Sequence, residues 1–159
     1  MTTAVELQLV KGLTHAHTIE RQSIRLLDAA TQFAGDDEIA DVYRSLLVQA
    51  RGRAVIVADR LEAYGARPAD VREHSDLTLA AGHTVPDTPI RLAETAFALE
   101  SHGAAAYRML HGLAKRAGDE RTADVAERIL EQAEAAAALV ACTFDRAVDA
   151  TLDDSAAGG

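Results

Sequence analysis

The 159-residue chain has no tryptophan, one cysteine (Cys142), three prolines and only 4% aromatic residues. A single cysteine cannot staple the chain to itself, so a disulfide scaffold is excluded. Few aromatic residues and few turn signals argue against a β-sandwich or barrel, which needs many strands rich in β-branched and aromatic side chains. The prolines all fall in one window, at Pro68, Pro86 and Pro89, so the rest of the chain lacks the strongest helix breaker. No apolar run approaches the ~18 residues of a membrane span, and residues 1–10 lack the basic-then-apolar layout of a signal peptide. The formal charge is −9. That balance argues against a general nucleic-acid or anionic-membrane binder and suits a solvated surface. The expectation is a cytoplasmic protein.

What the sequence does have is helix formers. Roughly a fifth of it is alanine, with leucine, arginine and glutamate prominent. Four long helices are predicted, at about residues 5–33, 37–64, 89–117 and 119–152. Gly35, Gly65 and Gly118 close the first three, Asp36 or Asp37 caps the second, and Pro89 suits a first helical turn. Residues 1–152 read as one domain and 153–159 as a flexible tail.

Connection lengths decide the topology. The first two and last two helices are joined by a few residues each, so each pair is an antiparallel hairpin. The middle link, residues 66–88, is too long for a bare loop, and a short helix is predicted at 71–81. Two hairpins joined by a long crossover make an all-α, ferritin-like four-helix bundle.

Each predicted helix carries polar residues near the middle of an otherwise apolar stripe. The first has Leu13, His17, Glu20, Ile24 and Leu27, and the second has Ile39, Val42, Leu46, Gln49, Arg53 and Ile56. The third has Ala93, Ala96, Glu100, Gly103, Tyr107, Leu110 and Ala114. The fourth has Leu130, Glu134, Ala137, Ala141 and Phe144, with Glu131 on the adjacent stripe. Buried charges need partners or a metal. Di-iron bundles supply a Glu from each of two helices and a Glu-x-x-His from each of the others. Here Glu20, Glu100 and Glu134 (or Glu131) are present, but no Glu-x-x-His occurs.

At these residues the chain resembles the YciE/YciF-type ferritin-like family of bacterial proteins. The similarity spans residues 8–150. It rests on His-Thr-Ile-Glu-Arg-Gln at 17–22, Arg-Leu-Glu-Ala-Tyr-Gly-Ala-Arg-Pro at 60–68 and Ala-Leu-Glu-Ser-His-Gly-Ala-Ala-Ala-Tyr at 98–107. The resemblance implies a ferritin-like fold, frequent dimers, a link to bacterial stress responses and a candidate di-metal centre. It places ligand positions at Glu20 and Glu100, and at Glu134 or Glu131 on the last helix. The family's ligand pattern on the second helix falls on Gln49 and Arg53, and its second carboxylate on the third helix falls on Gly103.

The leading expectation is a bundle that has lost its metals and carries no cofactor. Arg53, a permanent cation with a planar fork, then pairs with Glu20 and Glu100. Gln49 bridges by hydrogen bonds, and Tyr107 bonds through its hydroxyl. The alternative is a reduced Fe or Mn site of Glu20, Glu100, Glu134 and His17, with oxidase or peroxidase-like chemistry. A third reading is assembly: the alanine faces at 104–106 and 135–138 suit internal packing or a homodimer. His15, His102 and His111 read as surface residues, and Cys142 as a small buried one. His74 and His83 lie in the crossover. Nothing in the sequence identifies a small-molecule ligand, and no phosphate loop or nucleophile elbow is present.

Overall fold

The computed structural model describes residues 2–68 and 86–158. Those residues form five helices: α1 (Ala4–Phe33), α2 (Asp37–Ala63), α3 (Pro89–Ala117), α4 (Glu120–Ala141) and α5 (Phe144–Ala157). There is no strand among the described residues. The helix predicted at 71–81 lies outside them.

The starts are capped as the local sequence dictates. Thr3 and Glu6 form a reciprocal capping box at α1. The Asp36 carboxylate accepts the backbone N–H groups of Glu38 and Ile39 at α2. Thr88 caps α3, with Pro89 in the first turn. Gly35 turns the chain between α1 and α2 at φ +71°, in the left-handed region that favours glycine. A side chain there would also press on Pro89 at 3.0 Å and Ala150 at 3.3 Å.

α1 packs on α2 and α3, and α3 packs most extensively on α4. The end of α2 lies beside the start of α4, where Arg60 meets Asp119. The start of α3 lies beside Gly35 at the opposite end of the bundle. The crossover therefore carries the chain from one end to the other, so α2 and α3 run parallel. This is the ferritin-like arrangement expected from the linker lengths.

The predicted fourth helix is two helices. Cys142 and Thr143 interrupt it, and the Thr143 hydroxyl donates to the Val140 carbonyl at 2.7 Å. Such side-chain-to-backbone bonds compete with the helical ladder and bend it. The break turns α5 over the α1–α2 corner. There Arg146 pairs with Asp36 and Glu38, and the Ile90 N–H donates to the Thr151 hydroxyl. Residues 153–157 continue α5 with their side chains exposed. Cys142, expected to be buried, is exposed at this corner.

The core is in two parts. Leu26, Leu27, Tyr43, Leu46, Leu92 and Val140 build one end, and Leu9, Leu13, Val57, Leu61, Leu110 and Ile129 build the other. Between them lies a buried polar layer.

Candidate functional site

Three helices contribute to that layer. The third helix meets its sequence-derived stripe in full: Ala93, Ala96, Glu100, Gly103, Tyr107, Leu110 and Ala114 are all buried. α1 adds His17 and Glu20, and α2 adds Arg53. Glu20 and Arg53 are each only 2% exposed, and Glu100 only 3%.

Arg53 sits between the two acids. Its Nε donates to Glu20 Oε1 and Oε2 at 3.0 and 3.1 Å. Its Nη2 donates to Glu100 Oε2 and Oε1 at 3.1 and 3.2 Å. The Tyr107 hydroxyl donates to Glu20 Oε1 at 2.7 Å. Nη1 has no hydrogen-bond partner among the described residues. The planar fork thus ties α1, α2 and α3 together at one level.

Electrostatics in this layer are set by burial. Burial pushes the Glu20 and Glu100 carboxyls above their ordinary value, against the opposing pull of Arg53. Burial works against the Arg53 charge, but Glu20 and Glu100 more than offset it and raise its pKa. Tyr107 is raised well above its ordinary value by burial and by Glu20, so it remains a proton donor. Two carboxylates face one guanidinium, which leaves one excess negative charge if both acids ionise.

The other expected members of the cluster are elsewhere. Gln49 is exposed, because the inward stripe of α2 runs Ile39, Tyr43, Leu46, Ala50, Arg53, Val57 and Leu61. Val42 and Ile56, apolar but outside that stripe, draw the sequence reading one residue, about 100° of helix, to the wrong side. Glu131 and Glu134 are exposed, because α4 turns Ala126, Ile129, Ala133, Ala136 and Val140 inward. Glu134 pairs with Arg108 on the surface at 2.6 Å. His17 is buried, but its Nδ1 has no partner among the described residues. Burial, and then Arg21, lower its pKa, which favours the neutral ring.

Two features escaped the sequence reading. At one end of the bundle, Asp119 accepts from Arg60 Nη2 at 2.9 Å, from the Tyr64 hydroxyl at 2.6 Å, and from the Thr122 backbone and hydroxyl. Burial opposes ionisation there, but Thr122, Tyr64 and Arg60 hold the carboxyl far below its ordinary range. Tyr64 in turn is pushed up to about 12, first by burial and then by Asp119. Arg60 and Tyr64 lie four residues apart, so only their shared helix face hinted at a joint partner. The second feature is an edge-to-face contact of His15 on α1 with His102 on α3, ring centroids 5.4 Å apart.

A two-metal centre does not fit the residues of the polar layer. The two carboxylates best placed to hold metal are occupied by a guanidinium, a fixed cation that cannot ligate. The acid expected from the last helix points to solvent, and Gly103 offers no side chain. Among the described residues no group of three or more His, Cys, Asp or Glu side chains is placed to hold a metal ion.

Comparison with known proteins agrees on architecture. A family profile described as "Domain of unknown function (DUF892)" matches residues 5–153. A protein of Xanthomonas campestris pv. campestris has a similar crystal structure, with a TM-score of 0.81 and 20% identity. The match covers 96% of this chain and 99% of that one. The bacterioferritin of Desulfovibrio desulfuricans, described with a diiron site, superposes with a TM-score of 0.75 and 17% identity. That match covers 91% of this chain and 82% of that one. A search of curated proteins returns no significant match. At these identities the likeness shows the fold.

Proposed function

This chain belongs to the DUF892 family of ferritin-like bundles, and from that premise we propose that it is a metal-free member of bacterial stress-response type. In this reading Arg53 takes the electrostatic place of the di-metal centre, and the protein has a structural or interaction role rather than an oxidase one. It works as a cytoplasmic homodimer.

One observation carries the reading: a single guanidinium donates into both Glu20 and Glu100 in a layer closed to water. A metal would have to displace a cation that is already hydrogen-bonded on two sides. The resemblance at residues 17–22 and 98–107 supports the stress-response class and the dimer. No helix among the described residues is long and apolar enough to cross a membrane, which accords with the localisation.

Elemental analysis of protein purified without chelator, followed by Fe²⁺ and Mn²⁺ titration, tests the proposal. The expected result is no stoichiometric Fe or Mn in either experiment. One equivalent or more of Fe or Mn, lost on Glu20→Ala, overturns it. Sedimentation velocity tests the dimer.

A further inference from the structure

On the outer surface of the α1–α3 pair, His15 and His102 line a cleft of about 200 Å³. The rest of its lining is Gly12, Ala105, Ala106, Met109, Leu110 and Leu113. The helices meet closely here because residue 12 is glycine: a Cβ would sit 3.2 Å from Leu113 and 3.3 Å from Leu110. At residue 103 a Cβ would lie 3.6 Å from Ile19 on α1. The close approach at Gly12 holds the α1 backbone against α3 beside His15, while the contact at residue 103 is of ordinary length.

The ring separation has chemical meaning. Two imidazole nitrogens bound to one ion at about 2.0–2.1 Å put their ring centroids about 5.2 Å apart in tetrahedral geometry and about 4.5 Å apart at neighbouring corners of the tetragonal geometry that copper prefers. The observed centroids are 5.4 Å apart with the planes at 82°. The rings now meet edge to face, so ligation of one ion by both requires rotation of the exposed His15 side chain.

We propose that His15 and His102 form a two-imidazole surface site for a late first-row divalent transition metal, with Cu²⁺ bound most tightly. The cleft is lined by no carboxylate or amide side chain. Mg²⁺ and Ca²⁺, which require oxygen ligands, are disfavoured there, whereas imidazole suits copper, nickel and zinc. Copper stands highest in the general affinity order for nitrogen ligands. The site lies on the bundle exterior and is separate from the Glu20–Arg53–Glu100 layer.

Cu²⁺ titration in a glycine-containing buffer, read by calorimetry and X-band electron paramagnetic resonance, tests this site. The wild-type chain is expected to take up one equivalent, with the nitrogen hyperfine pattern of two imidazoles. His15→Ala and His102→Ala should each weaken binding at least tenfold while far-UV circular dichroism is unchanged. The double substitution His74→Ala with His83→Ala, and the core variant Glu20→Gln, should leave affinity within twofold. A change below tenfold in either single histidine variant overturns the proposal, as does loss of binding in the His74/His83 variant. Because Glu20→Gln is silent here, failure of this site is distinguishable from failure of the metal-free reading of the core.

Discussion

Tyr107 donates its hydroxyl to Glu20 Oε1 at 2.7 Å, and no such second donor reaches Glu100 among the described residues. The two acids are therefore unequal. Glu20 accepts from Arg53 and Tyr107, whereas Glu100 accepts from Arg53 alone. Hydrogen bonds to a carboxylate favour its ionised form. The excess negative charge of the layer is thus relieved most readily by a proton on Glu100, and the two acids titrate as a coupled pair.

That asymmetry predicts opposite outcomes for two isosteric variants. Glu100→Gln keeps an acceptor for Arg53 Nη2 and removes the excess charge, so stability at pH 7 should be unchanged or higher. Glu20→Gln removes the better hydrogen-bonded anion and should cost about 2 kcal/mol, within the range for hydrogen bonds to charged groups. Urea unfolding at pH 7 checks both; equal losses in the two variants contradict the asymmetry.

The pH dependence follows with its sign. A carboxyl whose folded pKa lies above its ordinary 4.5 binds its proton more tightly when folded. Its contribution is complete below pH 4.5 and is lost as pH rises through the raised folded value. Glu100→Gln should flatten the decline in stability above pH 4.5, which denaturant midpoints across a pH series will show. Asp119 runs the other way. Its lowered pKa gives stability that is present above 3.8 and is lost as pH falls through the folded value. Asp119→Ala should flatten the acid limb and, by removing a helix cap with its Arg60 and Tyr64 contacts, cost about 2 kcal/mol at pH 7.

Arg53→Ala strands two buried carboxylates and should cost about 3–5 kcal/mol. At a few degrees per kcal/mol for a chain of this size, the melting temperature should fall by about 10 °C. Replacing the whole network by apolar residues (Arg53→Met, Glu20→Leu, Glu100→Leu and Tyr107→Phe together) should recover most of that loss, because a buried ion network is often no more stabilising than hydrophobic packing. Calorimetry of the two proteins decides; a quadruple variant less stable than Arg53→Ala contradicts this account.

Tyr43 is fully buried, its hydroxyl has no partner among the described residues, and burial pushes its pKa up to about 12. A buried hydroxyl without a partner costs about 1–3 kcal/mol. Tyr43→Phe should therefore raise the melting temperature by a few degrees. A fall on scanning calorimetry would show that the hydroxyl is satisfied.

The sequence by itself determined the architecture. Glycines at 35, 65 and 118, a cap at Asp36 or Asp37, Pro89 in a first turn, and two short links against one long one define helix hairpins and a crossover. These are local or chain-length properties, so neighbours in space are not needed to read them. It also singled out Glu20, Arg53, Glu100 and Tyr107, since polar side chains on an apolar stripe stand out. Which face of α2 and α4 points inward was decided only by tertiary packing. Alanine-rich helices offer little contrast between faces, and a one-residue error in the stripe rotates a side chain about 100°. That rotation separates Gln49, Glu131 and Glu134 on the surface from the buried layer. The sequence also points to Arg53 between Glu20 and Glu100, whereas tertiary structure alone placed His15 against His102 and Asp119 against Arg60 and Tyr64, because those contacts join helices far apart in the chain.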